Sequence, residues 1–168
     1  MNRDMKIIYE VSNQAENFYE NAIELGDHAA HVLRAAHRSQ MTSLENIAES
    51  TYKTSDVFDF IKKQVARFSY WRQSMPENPS APANKKANQG FGLRLKVFLE
   101  QDLKKAADEL YDRSPLATGN TTDKEMQERR RIHLLLIRQF IRQMVAQYEF
   151  QVSAVGNLSS AGSSKRGS

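Results

Sequence analysis

The residues able to do chemistry in this chain are mostly cations. Lys124, Arg131, Arg138 and Arg142 recur at steps of seven, seven and four residues. At about 100° per residue, those steps place all four within about 40° of one another on a helix. Steps of seven and four rise about 10 and 6 Å, comparable with phosphate spacing along an extended strand. Guanidinium forks suit phosphate oxygens. Carboxylates on acidic helices of the same or a neighbouring chain compete for the same arginines. Arg129-Arg130-Arg131 is a weaker signal, because Glu125 stands one helical turn before Arg129 and accounts for one of the three.

A second basic group gathers around the middle of the chain. Lys53, Lys62, Lys63, Arg67 and Arg72 lie on or near one helical segment. Lys85, Lys86, Arg94 and Lys96 follow in the next loop and helix. Phe68, Tyr70 and Trp71 interleave with them. Cations and rings together suit single-stranded nucleic acid, since a base stacks while its phosphate is neutralised. Phe68 and Trp71 are in phase with an apolar stripe and belong to a core; Tyr70 alone is expected to face outward. The plain alternative is a solvated face, and Asp59 to Lys63 has the spacing of an ordinary helix ion pair.

Other chemistries find little footing. The chain has no cysteine, so disulfides, thiolate nucleophiles and thiolate metal sites are excluded. Glu24, His28 and His31 share one helical face, but a dinuclear carboxylate site needs Glu-x-x-His on two helices, and Leu25 and Arg130 stand three before His28 and His133. No metal or other cofactor is expected. There is no Gly-x-Ser-x-Gly elbow, and Gly90-Phe91-Gly92 is too short for a phosphate loop. The residues describe a protein that is not an enzyme.

These side chains need helices to carry them. Over the 168 residues, 40% are hydrophobic, with seven glycines and four prolines. That is one domain with a core, and too few turn formers for an all-β fold. No apolar run approaches a membrane span, and MNRDMKIIYE lacks the apolar stretch of a signal peptide. A cytoplasmic location is therefore expected.

Ile8, Val11, Ala15, Phe18, Ala22 and Leu25 keep three-four spacing, continued by Ala29, Val32 and Ala36. This predicts one long helix over about 5–38, or two helices with the weak point at Gly26-Asp27. Thr42 and Glu45 read as a capping box opening a short helix over 44–50. Thr54-Ser55-Asp56 opens another, with Val57, Phe60, Ile61, Gln64 and Val65 on its stripe. Residues 74–90 form a long loop with three prolines. Helices are predicted over about 91–113 and 123–152, the last opened by Thr122 and Glu125. The whole is an all-α single bundle of four or five helices over 1–153, with a disordered tail at 154–168.

Charge is uneven along the chain. Residues 1–50 hold four basic and eight acidic residues, −4; the rest hold twenty and twelve, +8. An acidic end and a basic body point to a polyanion partner or to head-to-tail self-association.

Three features resemble the small all-helical subunit of type III CRISPR effector complexes. They are Thr54-Ser55 opening a helix that begins Val57-Phe-Asp-Phe-Ile-Lys-Lys, a basic helix over Phe91 to Leu99 after a variable loop, and a C-terminal helix ending Ile137-Arg-Gln-Phe-Ile-Arg-Gln-Met-Val-Ala-Gln-Tyr148. Together they cover about residues 42–150. The resemblance implies a non-catalytic subunit that stacks head to tail and tracks the backbone of a guide–target RNA without reading sequence. The implied partners are single-stranded RNA or a guide–target duplex, other effector subunits and further copies of itself, with no membrane. The expected phosphate contacts are Lys53, Lys62, Lys63, Arg67, Lys85, Lys86, Arg94, Arg131, Arg138 and Arg142. Reversing Arg138 and Arg142 to Glu is expected to abolish binding without unfolding the bundle. A helical adaptor or oligomerisation protein without nucleic-acid affinity is the alternative, resting on the regular alanine-rich spacing from Ile8 to Ala36.

Overall fold

A computed structural model describes residues 1–76, 89–117 and 122–163, with side chains of the last stretch given to Ser153. Among the described residues the chain is all-α, with six helices and no strand. They are α1 (Arg3–Asn17), α2 (Tyr19–Leu33), α3 (Arg38–Ser50), α4 (Thr54–Arg67), α5 and α6 (Thr122–Ser163). Helix α5 runs continuously through Phe91–Val97, a π-turn at Phe98–Asp102, and Leu103–Arg113. The tail expected at 154–168 lies beyond the described side chains.

Helix α6 is the organising element and touches every other helix. Its inward stripe is Leu136, Ile137, Phe140, Ile141, Met144, Val145 and Tyr148, all buried. A stripe this long needs covering on several sides, and five shorter helices supply the cover.

The N-terminal stripe breaks where the spacing did not foretell. Helices α1 and α2 meet at Phe18 (φ −98°, ψ 6°), and the chain stays helical through Gly26 and Asp27. Phe18 turns edge-on to Phe98, ring centroids 5.5 Å apart. Gly26 serves packing instead. A Cβ there would lie 2.6 Å from Gln147 Cβ and 2.7 Å from the Met144 carbonyl oxygen. The α2 backbone thus approaches α6 more closely than any side chain allows. The start of the stripe also shifts: Ile7 is buried, while Ile8 is 57% exposed. Either isoleucine keeps helical spacing to Val11, so periodicity could not choose between them.

Helix α3 begins at Arg38, one turn before Thr42. The Thr42 hydroxyl donates to the Arg38 carbonyl at 3.3 Å as a mid-helix residue, so Thr42-Glu45 is not a cap. Helix α4 does begin at Thr54. Thr51 organises that start: its hydroxyl accepts from the Lys53 backbone N–H at 3.0 Å and donates to Asp56 at 2.5 Å.

Trp71 anchors the chain after α4. It is fully buried, 5.0 Å from Phe91 and 6.3 Å from Phe60 between ring centroids, and its Nε1–H donates to Gln40 at 2.6 Å. The feet of the long loop meet just beyond it. Phe91 N–H donates to the Gln73 carbonyl at 3.1 Å. Gly90 lies against Arg72 so closely that a Cβ would sit 2.5 Å from the Arg72 carbonyl oxygen.

One backbone position is strained. Arg34, just after α2, has φ 53° and ψ −166°, a conformation suited to glycine. Such a residue costs about 1–3 kcal/mol and persists only where its surroundings hold it. The buried Tyr148 supplies the hold, its hydroxyl donating to the Arg34 carbonyl.

Candidate nucleic-acid interface

Arg131, Arg138 and Arg142 on α6 face carboxylates and carbonyls of their own chain. Arg131 pairs with Glu128 at 2.8 Å and with Asp4 of α1 at 3.1 Å. Arg142 pairs with Glu49 of α3 at 2.5 Å. Hydrogen bonding to Arg142 holds the Glu49 carboxyl below its ordinary range, and the same bonds raise Arg142. Arg138 reaches the C-terminal end of α3, its Nε donating to the Ala48 carbonyl at 2.8 Å and its Nη2 to the Thr51 carbonyl at 2.7 Å. The last turn of a helix leaves its carbonyls without intrahelical donors, and a guanidinium there also complements the macrodipole. The basic line on α6 therefore binds the bundle to itself.

Acids of the N-terminal third meet cations of the body elsewhere too: Arg94 pairs with Glu24 at 3.1 Å and Arg113 with Glu10 at 3.9 Å. Arg3–Glu128 at 2.7 Å and Arg38–Glu149 at 3.1 Å cross in the opposite sense. Much of the charge asymmetry that pointed to a polyanion or to head-to-tail stacking is answered within the chain.

Arg94 belongs to a polar network that reaches Gln73. Its side chain is 12% exposed, and its Nη1 lies 3.4 Å from His28 Nδ1. His28 Nε2 lies 2.8 Å from the Gln73 carbonyl. A neutral ring with the proton on Nε2 satisfies both contacts, donating to Gln73 and accepting from Arg94. Of the metal-like trio Glu24, His28 and His31, two members are thus engaged with Arg94. Among the described residues, no group of three or more His, Cys, Asp or Glu is placed to hold a metal ion.

Burial pushes the His28 imidazole down to about 4; the Gln73 carbonyl opposes the shift, and the charges of Arg94 and His31 add to it. An unfolded imidazole titrates near 6.5. The unfolded chain therefore binds the proton first as pH falls. The stability His28 contributes is full above pH 6.5 and is lost between 6.5 and about 4. Urea midpoints of wild type and His28→Gln at pH 7.5 and 5.0 check this. Wild type is expected to lose about 1–2 kcal/mol more than the variant over that interval. Equal losses would remove His28 as the cause.

The outward face of α4 is different. Lys62, Lys63 and Arg67 are exposed on its C-terminal half, and Lys53 is exposed at its start. Lys62 has a carboxylate neighbour, Asp59, at 3.4 Å, taking the place expected for Lys63. Arg72 is turned back to cap the helix, donating to the Val65 carbonyl at 2.6 Å. Tyr70 does not project freely: it stacks on His37 at 4.0 Å and on Phe68 at 5.3 Å, and its hydroxyl accepts from Gln40. Lys85 and Lys86 lie outside the described residues. Of the ten expected contacts, then, Lys62, Lys63 and Arg67 are exposed on α4 and Lys53 just before it, while Arg94, Arg131, Arg138 and Arg142 are tied into the fold.

A further cationic edge escaped the sequence reading. Lys104, Arg130 and the buried His133 line a cleft of about 340 Å³ between α5 and α6, with Asp108 and Met126. Arg129 also lines it but is held by Asp108, Asp112 and Glu125 at 3.2, 2.8 and 2.9 Å. His133 Nε2 meets the Leu99 carbonyl of the π-turn at 2.7 Å, and burial lowers its pKa. The three-arginine run contained the signal. Once Glu125 takes Arg129 and Glu128 takes Arg131, Arg130 is the one left without an ion pair among the described residues.

No family model, curated protein or solved structure matches the chain. The residues and their geometry carry the functional argument.

Proposed function

We infer that the protein is a non-catalytic subunit of an RNA-guided CRISPR ribonucleoprotein, holding the guide–target RNA backbone without reading sequence. One observation carries the binding role: Lys63 and Arg67 stand one helical turn apart on the exposed face of α4, with no carboxylate partner among the described residues. Lys62, next to Lys63, and Lys53, just before the helix, are exposed as well. Adjacent turns are about 5.4 Å apart, close to the spacing of successive phosphates. Lys85 and Lys86 add charge in the segment that follows. Recognition of this kind is electrostatic, and base pairing in the guide–target duplex would supply specificity. Cytoplasmic location and association with other effector subunits belong to the same reading. Among the described residues, no helix is long and apolar enough to cross a membrane.

The test is fluorescence anisotropy with a labelled single-stranded RNA of about 40 nucleotides across a salt series. Affinity should fall linearly in log salt and be equal for unrelated sequences. The double variant Lys63→Glu, Arg67→Glu should reduce the salt slope by about 1.4 while leaving the thermal midpoint unchanged. Wild-type affinity in that variant would remove α4 as the interface.

The adaptor reading has one observation of its own. Met5, Ile8 and Tyr9 lie on adjacent turns of α1, each more than half exposed. No RNA binding at low salt, with a dimer by sedimentation that Ile8→Glu dissociates, would select it.

A further inference from the structure

A cavity of about 530 Å³, with no α4 residue in its lining, lies between the C-terminal end of α2 and the distal part of α6. Ala30, Ala35 and Val152 give it an apolar wall, and Asp27, His31 and Arg34 bring polar groups to it. Its volume falls within the range of small-molecule sites, and the wall has their usual make-up, apolar with a few polar groups.

Arg34 is the residue to explain. Its backbone is in a conformation that glycine adopts without strain. Its side chain is exposed and, among the described residues, has no hydrogen bond or ion pair. The contacts that hold it are made by its backbone: the N–H donates to Ala30 and the carbonyl accepts from Tyr148. The fold thus keeps an arginine in the cavity wall although the backbone there favours glycine. Asp27, the carboxylate in the wall, already accepts from Gln147 at 2.7 Å. His31 stands one turn after Asp27 and one turn before Arg34, on the same side of α2.

We propose that this cavity binds a small amphipathic anion, its apolar body against Ala30, Ala35 and Val152 and its charged head on Arg34. The head is a carboxylate or a phosphate, since a guanidinium fork accepts either. The proposal does not depend on RNA binding and involves none of the α4 residues.

The probe is 1-anilinonaphthalene-8-sulfonate, an apolar ring system with one anionic head, titrated into the full chain and followed by fluorescence. Wild type is expected to bind saturably at one site. Arg34→Gly removes the guanidinium and the backbone strain together. It should raise the thermal midpoint yet weaken the probe at least about tenfold, the loss expected for one charge-assisted hydrogen bond. Val152→Trp, which fills the cavity, should abolish the saturable phase. Octanoate and phenyl phosphate then compete with the probe, with octanol as the neutral control. Displacement by either anion at concentrations where octanol has no effect supports the site and names its head group. Unchanged probe affinity in Arg34→Gly overturns the proposal. So does displacement by octanol as effective as by octanoate, or no displacement by either anion.

Discussion

Trp71→Ala is expected to lower the unfolding free energy by about 3–5 kcal/mol, the usual cost of deleting a buried indole. The ring is fully buried and touches Phe60 of α4 and Phe91 of α5, while its N–H reaches Gln40 of α3. Three helices lose a shared partner at once. The Gln40 oxygen is also left without its indole donor. The surroundings cannot close the gap easily, because Gly92 already lies against the ring: a Cβ there would be 3.1 Å from it. Urea denaturation followed by circular dichroism measures the loss. Trp71→Phe keeps most of the apolar contact but not the hydrogen bond, and should cost about 1–2 kcal/mol. A loss below 1 kcal/mol in the alanine variant would mean that Trp71 is not the anchor of this region. The consequence reaches the loop, since Trp71 seats Arg72 and Gln73, the residues against which Gly90 and Phe91 close.

Arg138→Glu should destabilise the bundle by about 3 kcal/mol. Two charge-assisted hydrogen bonds to the Ala48 and Thr51 carbonyls are lost, and a carboxylate is set against those same oxygens. The reversal also opposes the negative end of the α3 dipole. Arg142→Glu, one turn along, breaks only the exposed pair with Glu49 and should cost less than about 1 kcal/mol. The contrast bears on the expectation that reversing both arginines abolishes binding without unfolding the bundle, because Arg138 is tied to the end of α3. Thermal midpoints of the two single variants, measured before any binding assay, decide it. Equal midpoints would mean that the α3 carbonyls do not need Arg138. Loss of RNA affinity in Arg138→Glu would otherwise be misread as loss of a phosphate contact.

The apolar stripes were legible wherever a helix buries one side only. The α4 and α6 stripes and the all-α architecture follow from three-four spacing. Boundaries were less legible. The junction at Phe18 leaves no breaker residue in the sequence, because an inward-turning phenylalanine and its contact with Phe98 make it. Gly26 is a breaker by propensity, yet it sits mid-helix because α6 passes too close for a side chain. Thr42-Glu45 has a cap's spacing without a cap's position, since the chain has already turned into α3 at Arg38.

The candidate site divides along the same line. Residue order determined that this chain is helical, that its cations recur at helical intervals, and that its first third is acidic. It could not determine which acid each cation meets. Arg142 and Glu49 are 93 residues apart, and Arg131 and Asp4 are 127 apart. Those pairs exist because α1 and α3 pack on α6, and packing is set by apolar faces rather than by charges. Lys63 and Arg67 are as basic in sequence as Arg138 and Arg142. They differ in that, among the described residues, the tertiary fold brings no acidic helix opposite α4's outer face, so their charge is left to the solvent side. Arg34 is the extreme case, since nothing in its neighbours' sequence marks a strained backbone. The long-range contact on it is the hydroxyl of Tyr148, 114 residues away.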